Sequence, residues 1–122
     1  MNEKAGKDQL SAEIGRGNFT RAASVAASLG LPDKEVEDLR LKALWQISAV
    51  YRNATGTKRL ALQYGLSKKD VTAFFEKHAN DLRSKGDERA LEPCYDHSTA
   101  KYLSFEEWMD QLAKDWDKLP TS

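Results

Sequence analysis

The chain has 122 residues, with 19 Lys/Arg and 19 Asp/Glu, so its formal net charge is zero. A neutral chain is not held to nucleic acid or to a membrane by bulk charge alone. Its single cysteine, Cys94, cannot form an internal disulfide, and no apolar run approaches the length of a membrane span. The sequence therefore predicts one cytoplasmic domain over residues 1–122, with no membrane partner.

Helical signals recur along the chain, and no segment keeps the alternation of a strand. The first three predicted helices lie at about 7–14, at 19–29 and from Pro32 to about 51. Gly30 suits the C-terminal cap of the second helix, because the residue just past a helix end often needs a positive φ. Proline is favoured at a helix start, and the turn residues of 53–56 (NATG) predict the end of the third helix.

Two short-linked helices are predicted after the turn at 53–56. Thr57 is placed to cap the first of them, which ends near Gly65. Ser67 stands three residues before Asp70, which is the capping-box spacing that begins another helix. The segment therefore predicts a helix, a tight turn and a second helix.

The C-terminal third contains one unclear segment and one clear helix. Residues 86–100 give no recognisable element, and Pro93 opposes a helix there. Ser104 and Glu107 have the capping-box spacing, and an amphipathic helix is predicted at 104–119. The whole sequence predicts an all-α protein, a single compact bundle of five or six helices.

The segment 57–75 has the spacing Ala-x3-Gly-x5-Val-x2-Phe. The residues that define it are Ala61, Gly65, Val71 and Phe74. The alanine lets the second helix approach, the glycine tolerates a positive φ in the turn, and the valine faces inward. This spacing resembles the helix-turn-helix motif of bacterial DNA-binding proteins, although no family is recognised for the whole chain. We call the predicted helix-turn-helix at 57–78 the downstream corner.

The resemblance implies that the second helix enters the major groove of double-stranded DNA. Residues near its start would then meet base edges, namely Ser67, Lys68, Lys69, Thr72 and Ala73. Basic residues close by would meet phosphates, namely Arg52, Lys58, Arg59 and Lys77. Residues 51–90 contain nine basic and five acidic side chains, which favours this interpretation. The implied function is a small DNA-binding protein that regulates transcription; a capped, solvated helix start is the alternative.

The same spacing occurs 35 residues upstream, at 20–39, which we call the upstream corner. Five residues align at this offset with Ala61, Gly65, Leu66, Val71 and Phe74, namely Ala26, Gly30, Leu31, Val36 and Leu39. Its exposed positions are mostly acidic, namely Asp33, Lys34, Glu35, Glu37 and Asp38. Phosphate would repel that surface. The spacing therefore predicts a way to join two helices, and only the exposed charge favours DNA in the downstream corner.

The apolar stripe of the last predicted helix allows two interpretations. Its members are Phe105, Trp108, Met109, Leu112 and Trp116. A stripe at helical spacing is typical of a core, whereas large aromatic side chains are also enriched in interfaces. The alternative function is therefore a non-enzymatic protein-protein interaction module, or a homodimer, that uses this acidic, Trp-bearing helix.

No set of residues has catalytic or metal-binding spacing. Cys94 and His97 stand three residues apart in a predicted loop, and His78 is the only other histidine. Zinc needs about four ligands, and a nucleophile needs a positioned base. We therefore expect no enzyme activity, no cofactor and no metal site.

Overall fold

A computed structural model describes the backbone of residues 3–120 and the side chains of residues 4–120. Within that range the chain forms six α-helices and one small two-stranded sheet. The all-α prediction is therefore confirmed. The chain divides into two compact units, Met1–Gln46 and Ile47–Ser122, which are described separately. Among the described helices, none has both the length and the apolar content needed to cross a membrane.

Three helices form the first unit. They are α1 (Glu3–Gly15), α2 (Phe19–Ser28) and α3 (Asp33–Trp45). A π-helical turn at Gln46–Val50 continues α3, so the predicted helix to residue 51 changes its hydrogen-bond register before it ends. The division between the two units falls inside this turn.

The second unit contains three helices and a β-hairpin. In chain order its elements are α4 (Ala54–Gln63), α5 (Lys68–Ser84), a 3₁₀ turn (Arg89–Leu91), β1 (Cys94–Asp96), β2 (Lys101–Leu103), α6 (Phe105–Asp115) and a 3₁₀ turn (Trp116–Lys118). The predicted helix at 104–119 thus ends in a tighter turn. The predicted capping boxes at Ser67 and Ser104 are both present.

Small side chains form much of the first core. The buried cluster comprises Ala22, Ala23, Ala26, Val36 and Leu39, with Leu10, Phe19 and Leu31 packed against it. Alanine methyl groups let two helix backbones approach closely, and α2 lies against α3 along its length. The upstream corner is therefore a closed helical hairpin.

The helical stretch that includes α3 ends at Val50, before the segment 53–56 as predicted, but the prediction that Thr57 caps the next helix was wrong. Asn53 is the cap, because its side-chain oxygen accepts a hydrogen bond from the Gly56 amide at 2.9 Å. The hydroxyl of Thr57 is buried instead, donates to the Asn53 carbonyl at 2.7 Å, and lies 2.8 Å from the Ser48 hydroxyl. α4 consequently begins at Ala54, and its cap stands four residues earlier than predicted.

The hairpin corrects the expectation that no strand is present. β1 and β2 pair antiparallel, and Tyr95 stands opposite Tyr102. The turn is closed by Asp96, whose Oδ2 accepts hydrogen bonds from the Thr99 amide, the Thr99 hydroxyl and the Ser98 hydroxyl. Each strand has only three residues, so neither is long enough to show a period-two pattern.

Candidate nucleic-acid interface

The turn of the downstream corner has the predicted geometry. Gly65 has φ of +74°, and the Leu66 amide donates to the Ala61 carbonyl at 2.8 Å. Ala61 and Val71 are 0% and 1% exposed, in agreement with their predicted inward positions. The two helices and their tight turn are therefore present, and a DNA-binding role for them stays a prediction.

The start of α5 is fixed by a reciprocal cap. The Ser67 hydroxyl accepts from the Asp70 amide at 3.2 Å, and the Asp70 carboxylate accepts from the Ser67 amide at 2.9 Å. The second bond, from a backbone amide, is the main cause that lowers the pKa of Asp70 from its ordinary value. The Ser67 hydroxyl, a predicted base contact, is therefore already used as a helix cap.

Three predicted DNA-binding residues form a line along the outside of α5. Lys69, Ala73 and Lys77 are all exposed and follow one another at intervals of four residues. Residues at this spacing share one side of a helix. Acidic side chains, among them Asp70 and Glu76, are also exposed on this helix, so the positive charge of the line is moderate.

Lys68 and Thr72 were predicted to meet base edges, but both have hydrogen-bond partners within the protein. The Lys68 ammonium donates to the Ala113 carbonyl of α6 at 3.1 Å, although the side chain stays largely exposed. The Thr72 hydroxyl donates to the Lys68 carbonyl at 2.8 Å and is only partly exposed. The Lys68 side chain therefore reaches toward α6, whereas the Thr72 hydroxyl binds a carbonyl of its own helix.

Lys58 was predicted to contact phosphate, and this prediction was wrong. Its side chain is 6% exposed. The ammonium group donates to the Trp116 carbonyl at 2.5 Å and to the Leu119 carbonyl at 2.9 Å, and lies 5.9 Å from the centre of the Trp116 ring. A cation at the last carbonyls of a helical segment satisfies acceptors that have no partner within the helix. Lys58 thus has a structural role at the end of α6.

Arg52 was also predicted to contact phosphate and is likewise structural. Its guanidinium donates to main-chain carbonyls of four residues, namely Ala49, Ala90, Glu92 and Leu103, at 3.0–3.3 Å. It also lies 5.5 Å from the centre of the Phe105 ring, and burial lowers its pKa. The backbone at Arg52 has φ of +50°, so this residue ends the preceding helical turn. Arg59, on α4, is the remaining predicted phosphate contact and is exposed.

The aromatic stripe of α6 was a candidate partner surface, and the structure places it in the core instead. All five residues are between 0% and 7% exposed, namely Phe105, Trp108, Met109, Leu112 and Trp116. Phe105 contacts Phe75 of α5 edge to face, with ring centres 5.6 Å apart. Because these side chains are covered within one chain, they are not available to a dimer or another partner in this structure.

Comparison with protein-family models, with curated proteins and with solved structures finds no significant match to the chain. The candidate interface therefore depends on its own geometry. Sequence reasoning missed the structural use of Arg52 and Lys58. The available signal was that Arg52 and Lys58 stand near the start of α4 and next to apolar segments. A long cationic side chain there can pack its aliphatic part on apolar residues and donate hydrogen bonds to main-chain carbonyls.

Proposed function

We propose that the downstream corner binds double-stranded DNA and that the protein regulates transcription by doing so. In this proposal the line of Lys69, Ala73 and Lys77 lies at the major groove. Ala73 faces base edges there, and Lys69, Lys77 and Arg59 contact phosphates. The observation that supports it is the exposure of this line on the side of α5 opposite to the buried Val71. A small residue between two lysines leaves room for the edge of a base pair.

The sparse backbone contact between the two helices of the corner also supports the proposal. α4 and α5 have few close backbone contacts, in contrast to the tightly packed α2 and α3. A helix must stand clear of its neighbours to enter a groove that is about 12 Å wide. In helix-turn-helix proteins the two helices meet at a wide angle for this reason.

Phosphate contacts should dominate the affinity. Lys69, Lys77 and Arg59 are exposed cations, whereas Asp70 and Glu76 oppose the same phosphates. Such binding weakens steeply with salt, because each neutralised phosphate releases counterions. We therefore expect binding that is measurable at low ionic strength and lost at high ionic strength.

The test is a fluorescence-anisotropy titration of a labelled mixed-sequence duplex over a series of salt concentrations. The Lys69→Glu/Lys77→Glu variant should bind at least about tenfold more weakly than the wild type. In a plot of log affinity against log salt concentration, the slope of the variant should be smaller in magnitude by about 2, since each lost phosphate contact reduces the slope by about 0.9. Circular dichroism of the variant verifies that α5 remains folded.

The matched control is Lys34→Glu/Lys42→Glu in the upstream corner. Lys34 and Lys42 stand 35 residues before Lys69 and Lys77, and both are exposed. The two double variants alter the net charge equally, so a general charge effect would weaken DNA binding in both. An equal loss in the two variants, or no binding of duplex by the wild type at low salt, would contradict the proposal.

A further inference from the structure

A cavity of about 300 Å³ lies between the start of α4 and the β-hairpin of the second unit. Its walls include the side chains of Tyr51, Tyr95 and Trp108, and none of its lining residues belongs to α5. Small-molecule sites occupy about 300–1,000 Å³ and combine apolar walls with a few polar groups. The cavity is therefore separate from the proposed DNA interface and is large enough for a small metabolite.

Two tyrosine rings at this cavity are open to solvent. Tyr51 is 66% exposed and Tyr95 is 46% exposed. Tyr95 is held in position by edge-to-face contacts with His97 at 4.9 Å and Tyr102 at 5.4 Å. Trp108, which is 4% exposed, provides an apolar floor. These surfaces suit a planar, apolar group, because aromatic rings stack or pack edge to face with one another.

Arg52 supplies a positive charge at the same cavity. Its four hydrogen bonds all go to neutral main-chain carbonyls, and within residues 4–120 it forms no ion pair. A guanidinium has five N–H groups, so one N–H on Nη1 remains for a ligand. The charge is therefore fixed in place and is not neutralised by a carboxylate.

Asp96 supplies a negative charge at this cavity. Its three hydrogen bonds, from Ser98 and Thr99, come from neutral donors and all end on Oδ2. These bonds lower the pKa of Asp96, chiefly through the Thr99 hydroxyl, so the carboxylate is ionised at neutral pH. The cavity thus has one fixed cation and one fixed anion beside its aromatic walls.

We propose that this cavity binds a free α-amino acid with an aromatic side chain. The ligand carboxylate meets Arg52, its ammonium group meets Asp96, and its ring packs between Tyr51 and Tyr95. A simple anion would be repelled by Asp96 and a simple cation by Arg52, whereas a zwitterion satisfies both. The proposal does not depend on DNA binding.

The test is an NMR titration of the ¹⁵N-labelled full chain with three probes that share one ring. They are L-phenylalanine, 3-phenylpropionate, which lacks the ammonium group, and 2-phenylethylamine, which lacks the carboxylate. L-Phenylalanine should shift the amide signals of residues 51–55 and 94–98 and the indole signal of Trp108. It should bind at least about tenfold more tightly than either analogue, because each analogue leaves one charged group without a partner.

Variants separate the cavity from other exposed apolar side chains. Tyr51→Ala should weaken L-phenylalanine binding by about tenfold, whereas Leu62→Ala, which removes an exposed apolar side chain outside the cavity, should change it by less than about twofold. Asp96→Asn keeps an acceptor oxygen for the turn and should abolish the preference over 3-phenylpropionate. Equal binding of the three probes, equal effects of Tyr51→Ala and Leu62→Ala, or an absence of shifts at the cavity would overturn the proposal.

Discussion

The upstream and downstream corners have the same turn and different surroundings. In each, the amide of the leucine after the glycine donates to the alanine carbonyl five residues earlier, at 3.2 Å for Leu31 and at 2.8 Å for Leu66. Gly30 and Gly65 have φ of +70° and +74°. Both turns are thus the Schellman form of helix end, in which a residue with positive φ brings two orphan carbonyls into hydrogen bonds.

Beyond the turn the two corners differ in packing and in charge. α2 and α3 pack closely through alanines, whereas α4 and α5 have few close backbone contacts. At the position of Ala73 the upstream corner has Asp38, and at the position of Ser67 it has Pro32. The turn itself is therefore a general structural solution. Any function specific to the downstream corner must arise from the exposed face of α5 and from the sparser contact between its two helices.

The largest expected difference between the corners involves Lys58, whose upstream counterpart is the buried Ala23. Lys58→Met keeps most of the side-chain volume but leaves the carbonyls of Trp116 and Leu119 without their charged donor. We expect a loss of about 1.5–3 kcal/mol in the free energy of unfolding, since hydrogen bonds to charged groups are worth about that much. Urea unfolding followed by circular dichroism measures it.

The matched control for Lys58 is Lys69→Met, the same replacement on an exposed side chain. It should change the free energy of unfolding by less than about 0.5 kcal/mol. If the two variants were equally stable, the hydrogen bonds of Lys58 at the end of α6 would not contribute to the fold. Lys58 would then have to be considered again as a contact for DNA.

An intermediate and equal effect is expected for the two turn glycines. A Cβ at Gly30 or Gly65 would meet no atom within 4 Å, so the cost of alanine there is conformational alone. Gly30→Ala and Gly65→Ala should each lower the free energy of unfolding by about 1–2 kcal/mol. Gly15→Ala is the control. A Cβ at Gly15 would also meet no atom, but Gly15 lies in α1, so this variant should raise the free energy of unfolding by up to about 0.5–1 kcal/mol. A large difference between Gly30 and Gly65 would show that the two turns are not equivalent.

Local signals in the sequence predicted much of the fold. The caps at Ser67 and Ser104 and the positive φ of Gly30 and Gly65 depend on residues within a few positions, and all of these are present. The hairpin was missed because its strands have three residues each. The start of α4 was placed four residues late because Asn53 was treated as a helix stop, although asparagine is also a good N-cap.

The candidate interface was harder to predict, because its members depend on long-range contacts. Lys69 and Lys77 are exposed as expected, whereas Lys58 contacts carbonyls about sixty positions further along the chain. A neighbouring apolar segment indicates that a lysine can be buried, but no local pattern identifies the distant helix that it caps. For the stripe at 105–116 the sequence left core and interface open, and burial within the single chain favours the core.

The smallest expected effect is a pH dependence present only in the downstream corner. Hydrogen bonds from Ser67 lower the pKa of Asp70, so its contribution to stability is present above the ordinary Asp pKa of 3.8 and is lost as the pH falls through the lowered value of the folded state. Asp70→Asn should therefore be less stable than the wild type at neutral pH, and the difference should shrink in acid. Glu35→Gln is the control, because Glu35 stands at the same position in α3 but Pro32 has no amide hydrogen to complete the cap. Thermal unfolding over a series of pH values measures the difference in stability between the wild type and each variant. If the difference for Asp70→Asn stayed constant down to the lowest pH, the carboxylate charge would not stabilise the start of α5.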